Sequence, residues 1–489
     1  MKVHLAIDLG AGSGRVLAGI HENGHLTLEE LHRFENPGTI LPGGQFWNIL
    51  QLYREILVGL RAGVKKYKDS IVSAGIDTWG VDYGLLDSRG CLLGLPFQYR
   101  DPRTEGMGAK MDELYGNDKA YAETGIMPFF LNTSQQLLAD RLRGSAALKS
   151  ASSFLMIPDL LAFWLTGRKA VERTNASTTQ LFSPKHNDWA WSVIEGIGLP
   201  KEIFGEVVPP GTVLGNLRPE LAKELGADFQ IIATASHDTA AAVAGIPGEG
   251  SYAFISSGTW SILGTELSEP ILTEEARVAG FANELGVENT VRFLNNISGL
   301  WLIQECKREW EKGGASFGYD ALAALASEAQ PFTSFVDTDA PEFESSGDMP
   351  DKIRDYCKRT GQPVPEARGA VLRVATESIA LKHRTRFEQL KKITGRDLDR
   401  IHMGGGGTQN EILTQAIADA CGVPVYAGPI EATACGNLIT QMTVTGELTN
   451  IAAGRALIRE SLPLKIFKPA DSAPWGEAAA RLEAIQTST

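Results

Sequence analysis

Apolar positions near the start of the chain come in short runs closed by turn residues. "HLAIDLG" is one run, "RVLAGI" a second, and "HLTLEELHRF" opens with alternation beyond Asn23-Gly24. Runs of this length bounded by glycine read as strands, and Asn-Gly is a strong hairpin signal. The interval from Gly14 to Asn23 is short for a crossover helix, so the segment predicts strand, tight glycine turn, strand, turn, strand. The pattern returns at residue 251, where "SYAFISSGTWSILGTEL" again enters and leaves a small-residue turn, Ser256 to Thr259. Two such hairpins open halves of nearly equal length, which predicts a duplicated α/β fold with domains over 1–247 and 248–489.

Helical spacing appears in between and after. "RIHM" reads as a strand, four glycines follow, and "NEILTQAIADACG" has helical periodicity with glycine at its end. "VPVYAG" is the next strand, and "PIEATACGNLI" starts another helix. "IIATASHDTAAAVAGIP" places an apolar strand directly before Ser236, His237 and Asp238, with small residues continuing as a helix. The last stretch, from about Leu462, is Ala/Glu-rich with a helical end and is expected to pack back on the first domain.

Composition narrows the function. A chain of 489 residues exceeds one ordinary core. The net charge of −13 argues against nucleic acid or an anionic membrane as the main partner. The five cysteines show no metal spacing and read as reduced, mostly buried thiols. The N-terminus lacks a signal-peptide pattern, and no apolar run reaches membrane-spanning length. The expectation is a cytoplasmic protein that binds small molecules.

The glycine loops carry the candidate chemistry. GxxxxGK[ST] does not occur, so a P-loop is excluded. Two small-residue hairpins can hold a polyphosphate through backbone N–H groups and hydroxyls, because the backbone itself approaches the oxygens. The glycine run after "RIHM" lets a flat ring or ribose lie on the backbone near a helix N-terminus. Ser236, His237 and Asp238 are neighbours whose side chains diverge, so they do not form a hydrolytic triad. Asp238 reads either as a helix N-cap or as a group that accepts a proton from a substrate hydroxyl. Trp79, beside Gly80 in "GIDTWGVDYGLLD", is either a sugar-facing wall or core. Arg100, Asp101 and Arg103 read as a surface ion-pair cluster. Asn296 and Gln304 are either solvated amides or ligand contacts.

In order and spacing, "DLGAGSGR", "GIDTWGVDYGLLD", "YRDPRT", "TNASTTQL", "SHDTAAAV", "SSGTWS", "NISGLWLIQE", "GGGTQN" and "AGPIEATACGN" resemble the FGGY carbohydrate kinases of the actin/hexokinase/Hsp70 superfamily. The resemblance covers nearly the whole chain. "GIDTWGVD", "SHDT" and "SSGTWS" are most similar to the branch that phosphorylates L-rhamnulose. It implies a two-domain, actin-like (ribonuclease H-like) α/β fold, each half a mixed sheet flanked by helices, with the active site in the interdomain cleft. It implies transfer of a phosphoryl group from ATP, with Mg²⁺, to the C1 hydroxyl of L-rhamnulose. By motif match, Ala11, Gly12, Ser13, Gly14, Arg15 and Thr259 would hold the ATP phosphates, and Gln304 and Gly405 the nucleoside. Gly80, His237, Asp238, Thr239 and Asn296 would hold the sugar, Asp238 as catalytic base. Asp8 would sit near Mg²⁺ through water. Gly12 replaces a larger residue common in that branch, and "MGGGG" carries one extra glycine; both departures fall in ATP-side loops. The alternatives are another ketose kinase of the family, such as one for L-fuculose, and an actin- or Hsp70-like ATPase without a sugar substrate. All share the ATP hairpins, whereas "GIDTWGVD" with "SHDT" favours a sugar.

Overall fold

The apolar runs at the start of the chain form the predicted hairpins: in a computed structural model describing residues 1–312, 314 and 316–488, Lys2–Leu9 pairs antiparallel with Ser13–Glu22. Ser13–Glu22 pairs in turn with His25–Glu35. The chain divides into two units. The first comprises Met1–Pro247, Glu266–Phe293 and Ala432–Leu462; the second comprises Gly248–Thr265, Leu294–Glu431 and Pro463–Thr489.

In the first unit a six-stranded sheet runs in the order Thr212–Asn216, Gln230–Ala233, Ile71–Thr78, Lys2–Leu9, Ser13–Glu22, His25–Glu35. Its centre is parallel, Lys2–Leu9 with Ile71–Thr78 and the latter with Gln230–Ala233, and its edges are antiparallel. The helix Ile49–Tyr67 starts at Asn48, whose side chain accepts from the Gln51 N–H, and buries Leu52, Ile56 and Leu60. A Cβ on its Gly59 would lie 2.3 Å from Val16, and one on Gly19 would lie 2.6 Å from Leu438 of the helix Ala432–Val444. Val16 and Gly19 point to opposite faces of their strand, so the two helices cover opposite faces of the sheet.

The run of small residues after Asp238 has a packing reason. The helix Asp238–Gly245 lies in backbone contact with Ala432–Val444: a Cβ on Gly436 would fall 1.7 Å from the Ala241 carbonyl oxygen, and one on Gly245 2.1 Å from that of Ala432. Around this contact Ala235, Ala240, Ala244, Leu438, Ile439, Met442 and Ile458 form one apolar cluster with Ala6, Leu17 and Leu26.

The second unit is built on strands in the order Trp260–Leu267, Ala253–Ser257, Ile401–Gly404, Val425–Ala427, Lys465–Phe467. Ala253–Ser257 is antiparallel to Trp260–Leu267 and parallel to Ile401–Gly404, repeating the mixed pattern of the first sheet. The 27-residue helix Arg368–Thr394 packs on Glu411–Cys421 and Tyr319–Glu328. The C-terminal tail departs from expectation. It stays within the second unit, because Lys465–Phe467 pairs with Val425–Ala427 and the helix Ala473–Ser488 packs on Arg368–Thr394. The segment that joins the first unit is the preceding one, Ala432–Leu462.

Candidate active site

The first glycine loop is a tight connection whose shape follows from its residues. The Gly10 N–H donates to the Ser13 carbonyl at 2.9 Å, and the Asn36 amide donates to the Gly10 carbonyl at 2.9 Å. A Cβ on Gly14 would lie 2.4 Å from the Phe34 ring, whereas one on Gly12 would meet nothing. Gly12 and Ser13 are exposed at the tip and Ala11 is half-buried. Asp8 and Arg15 are cross-strand partners, and Arg15 donates to Asp8 Oδ2 from Nε at 3.0 Å and from Nη2 at 2.7 Å.

The parallel strand beside Asp8 brings Asp77 into register with it. Asp77 is fully buried; Asn437 donates to its Oδ2 at 2.6 Å, while Oδ1 has no hydrogen-bond partner among the described residues. Burial, with the charges of Asp8 and Asp238, pushes the Asp77 carboxyl well above the usual range against that hydrogen bond. The strand continues into Thr78, whose N–H donates to the Ser236 carbonyl at 2.9 Å and which bridges to His237. Gly80, His237, Asp238 and Thr239 thus belong to the same unit and to adjoining segments. Gly80 is crowded by Thr178, whose side chain a Cβ would approach to 3.0 Å.

Asp238 begins its helix but is half-buried, with the Thr239 hydroxyl 3.1 Å from its Oδ1. Burial raises its pKa; His237 opposes the rise and Asp8 adds to it. His237 Nε2 stands 3.5 Å from Asp238 Oδ1, and the opposite ring nitrogen, Nδ1, is 3.3 Å from Glu284 Oε2. Arg292 Nη2 lies 2.9 Å from the same Glu284 oxygen. Burial pushes the Glu284 carboxyl up, but Arg292 and His237 outweigh it and hold the group at about 2. Behind His237, the buried Glu172 accepts from Ser236 N–H at 3.0 Å and from its hydroxyl at 2.7 Å.

One open reading of the sequence is decided and another is corrected. Trp79 is core rather than a wall: it is buried, packs on Trp47 with ring centres 4.2 Å apart, and donates to Asp82 Oδ2 at 2.9 Å. Asp82 also accepts from the Trp47 indole, the Tyr99 N–H and Gln136, and burial nonetheless raises it to about 6. Asp101 and Arg103 are buried, not a surface cluster. Arg103 donates to Gln136 at 2.7 Å and lies over the Phe97 ring at 4.0 Å. The surface reading fails because Arg103 pairs not only with Asp101 but also with Gln136 and Asp140, more than thirty residues away in sequence.

The second unit gathers the other nucleotide candidates. Thr259 sits in the second hairpin turn and donates to Gln304 Oε1 at 3.0 Å. The Leu300 and Trp301 N–H groups bond to the Gly258 and Thr259 carbonyls at 3.1 and 3.2 Å, docking the helix Trp301–Lys312 against the turn. The glycine run is required by contact. Gly405 has φ +94 and a Cβ there would lie 2.7 Å from the Ser257 carbonyl oxygen; a Cβ on Gly407 would lie 2.0 Å from Ser257 Oγ. Asn296 is exposed on the strand Val291–Ser298.

Glu284 and Arg292 escaped the sequence reading. Their signal was present: "FANELGVENTVRFLN" sets Glu284 beside Leu285 in the strand Ala282–Leu285, and Arg292 between Val291 and Phe293 in the strand Val291–Ser298.

Among the described residues no three or more histidine, cysteine or carboxylate side chains gather as a metal cage. Asp8 and Asp77 are in-register carboxylates, and Asp77 Oδ1 is buried without a hydrogen-bond partner among the described residues; these two could hold Mg²⁺, which keeps waters and takes one or two carboxylates besides substrate phosphates.

Comparison with known proteins shows the family and the fold. Residues 3–245 match the N-terminal domain, and 253–444 the C-terminal domain, of the FGGY family of carbohydrate kinases. The chain is 42% identical over 475 residues to a rhamnulokinase of Bacteroides thetaiotaomicron, covering 97% of each chain. It is 37% identical to one of Bacillus subtilis, covering 96% of each. Among solved structures, a xylulose kinase from Lactobacillus acidophilus superposes with a TM-score of 0.83 at 14% identity, over 100% of this chain and 98% of that one. Plasmodium falciparum glycerol kinase with ADP gives 0.81 at 15% identity, over 100% and 98%. These likenesses establish the actin-like α/β fold of sugar kinases.

Proposed function

Because the chain belongs to the FGGY family of carbohydrate kinases and is an ATP-dependent sugar kinase, we propose that its acceptor is the C1 hydroxyl of L-rhamnulose. The products are L-rhamnulose 1-phosphate and ADP. The observation that carries the substrate is the full-length similarity to rhamnulokinases.

Asp238 is the general base. It accepts the proton of the C1 hydroxyl as the new O–P bond forms and the bond from the γ-phosphorus to the ADP oxygen breaks. Phosphoryl transfer asks chiefly for positioning and charge neutralisation. A carboxylate whose pKa is raised by burial is a stronger base than a solvated one, and Thr239 fixes one of its oxygens. Gly80, His237, Thr239 and Asn296 hold the ketose. The Ala11–Arg15 loop and Thr259 hold the phosphates, Gln304 and Gly405 the nucleoside. Mg²⁺, when bound beside Asp8 and Asp77, neutralises charge on the phosphates.

The test is coupled ADP release with Mg-ATP against L-rhamnulose, L-fuculose, L-xylulose, L-ribulose and glycerol. Preference for L-rhamnulose supports the reading. Preference for another ketose moves the substrate within the family, and sugar-independent ADP release overturns the kinase mechanism.

A further inference from the structure

Arg292 is fully buried between Val291 and Phe293, and the side chain of its partner Glu284 is 14% exposed. A buried ion pair is a poor way to stabilise a fold, since well-packed apolar residues do as well or better. Its retention here has a geometric reading. Arg292 Nε donates to the Leu285 carbonyl at 3.0 Å, which fixes the guanidinium, and Nη2 reaches His237 Nδ1 at 3.2 Å. A guanidinium only donates. His237 Nδ1 therefore accepts, and the ring proton resides on Nε2, the atom facing Asp238 Oδ1. If the ring takes a second proton, Nδ1–H faces Glu284 Oε2 and Nε2 keeps its own. Arg292, held by Glu284, thus disfavours the one form that would present a lone pair to Asp238.

We propose that Glu284 and Arg292 are positioning residues that act through His237, holding its Nε2–H toward Asp238 so that the base stays oriented and its charge stabilised. Neither touches the reacting atoms. The proposal rests on Asp238 being the base. Also packed against His237 are Thr78, which bridges to it, the Thr174 hydroxyl, 3.3 Å from its backbone nitrogen, and the buried Glu172 behind Ser236.

The first measurement is the ¹⁵N resonance pattern of His237 in the full-length protein without substrate, assigned against His237→Gln. A protonated Nε2 is expected; a bare Nε2 overturns the proposal, whatever the sugar substrate is. The second is steady-state kinetics of Arg292→Lys, which keeps the charge but loses the fixed fork, and Glu284→Gln, which keeps a hydrogen-bonding side chain but loses the charge. For either folded variant kcat should fall by about tenfold or more with KM for ATP within about twofold, since a wrongly held histidine damages the chemical step. In an Asp238→Asn background the same changes should have little further effect. A kcat within about twofold of the parent in a folded Glu284→Gln or Arg292→Lys overturns the proposal. Failure of the kinase reading would appear separately, as ADP release independent of sugar.

Discussion

Arg15 grips a single oxygen of Asp8 with two nitrogens, across the first hairpin of the chain. In the proposed role, Asp8 would anchor Arg15 through that oxygen and offer the other to Mg²⁺ or its water shell. Asp8→Asn should keep the fold and raise the half-saturating Mg²⁺ concentration in the coupled assay by about tenfold, the size of one lost charge-assisted interaction. An unchanged Mg²⁺ titration would remove Asp8 from the metal.

Asp238→Asn should lower kcat by about 10²–10⁴, the range for loss of a general base, while nucleotide still raises the melting temperature. The parent enzyme has a pH signature as well. Burial raises the Asp238 pKa, and only the ionised form accepts a proton, so turnover falls as pH drops through a value above the ordinary aspartate figure of about 4. An acid limb at or below that figure would contradict the assignment.

The glycine loops differ in what they tolerate. Gly407→Ala drives a methyl into Ser257 and should cost about 1–3 kcal/mol of stability together with weaker ATP binding. Gly12→Ala meets open space and should stay within about 0.5 kcal/mol of the parent in denaturant unfolding. Equal losses at both positions would mean that the contact at Ser257 does not set the loop.

Glu447 lies away from this chemistry and ties His4 and His21 together at 2.8 and 2.9 Å. Burial pushes its carboxyl up, but the two histidines outweigh that and hold it at about 2, below the unfolded value of 4.5. A depressed folded value contributes stability above pH 4.5 that is lost as pH falls toward about 2, at most about 3 kcal/mol. Glu447→Gln should therefore lower the urea midpoint at pH 7, and its difference from the parent should shrink by about pH 3. A difference that persists at pH 3 would assign the effect to packing.

Much of this arrangement was legible because its signals are local. Asn23-Gly24, the glycines flanking Ser13 and the apolar strand ending at His237 each specify a turn or an element end within a few residues. The Glu411–Cys421 helix was legible for the same reason, with Asn410 capping its start and Gly422 its end. Arg103, Trp79 and Glu284 were not, since what decides their role is a partner 33, 32 or 47 residues away: Gln136, Trp47 and His237. Periodicity reports which face of an element is apolar; it does not report which distant side chain will neutralise a charge placed there. The destination of Ala432–Leu462 was hidden for the same reason, as its small residues match Ala241 and Gly245 only once the two helices meet.

That meeting orders events during synthesis. The sheet of the first unit is complete once residue 233 has left the ribosome, yet Ala6, Leu17, Ala240 and Ala244 remain uncovered until Leu438, Ile439 and Ile458 emerge some two hundred residues later. A nascent chain halted at Pro247 would carry a bare apolar face, and expressing residues 1–247 alone should yield an aggregating fragment that soluble residues 432–462 supplied in trans can rescue. The N-terminal half recognisable in the sequence is thus not by itself the unit of folding, which closes only once Ala432–Leu462 has been made.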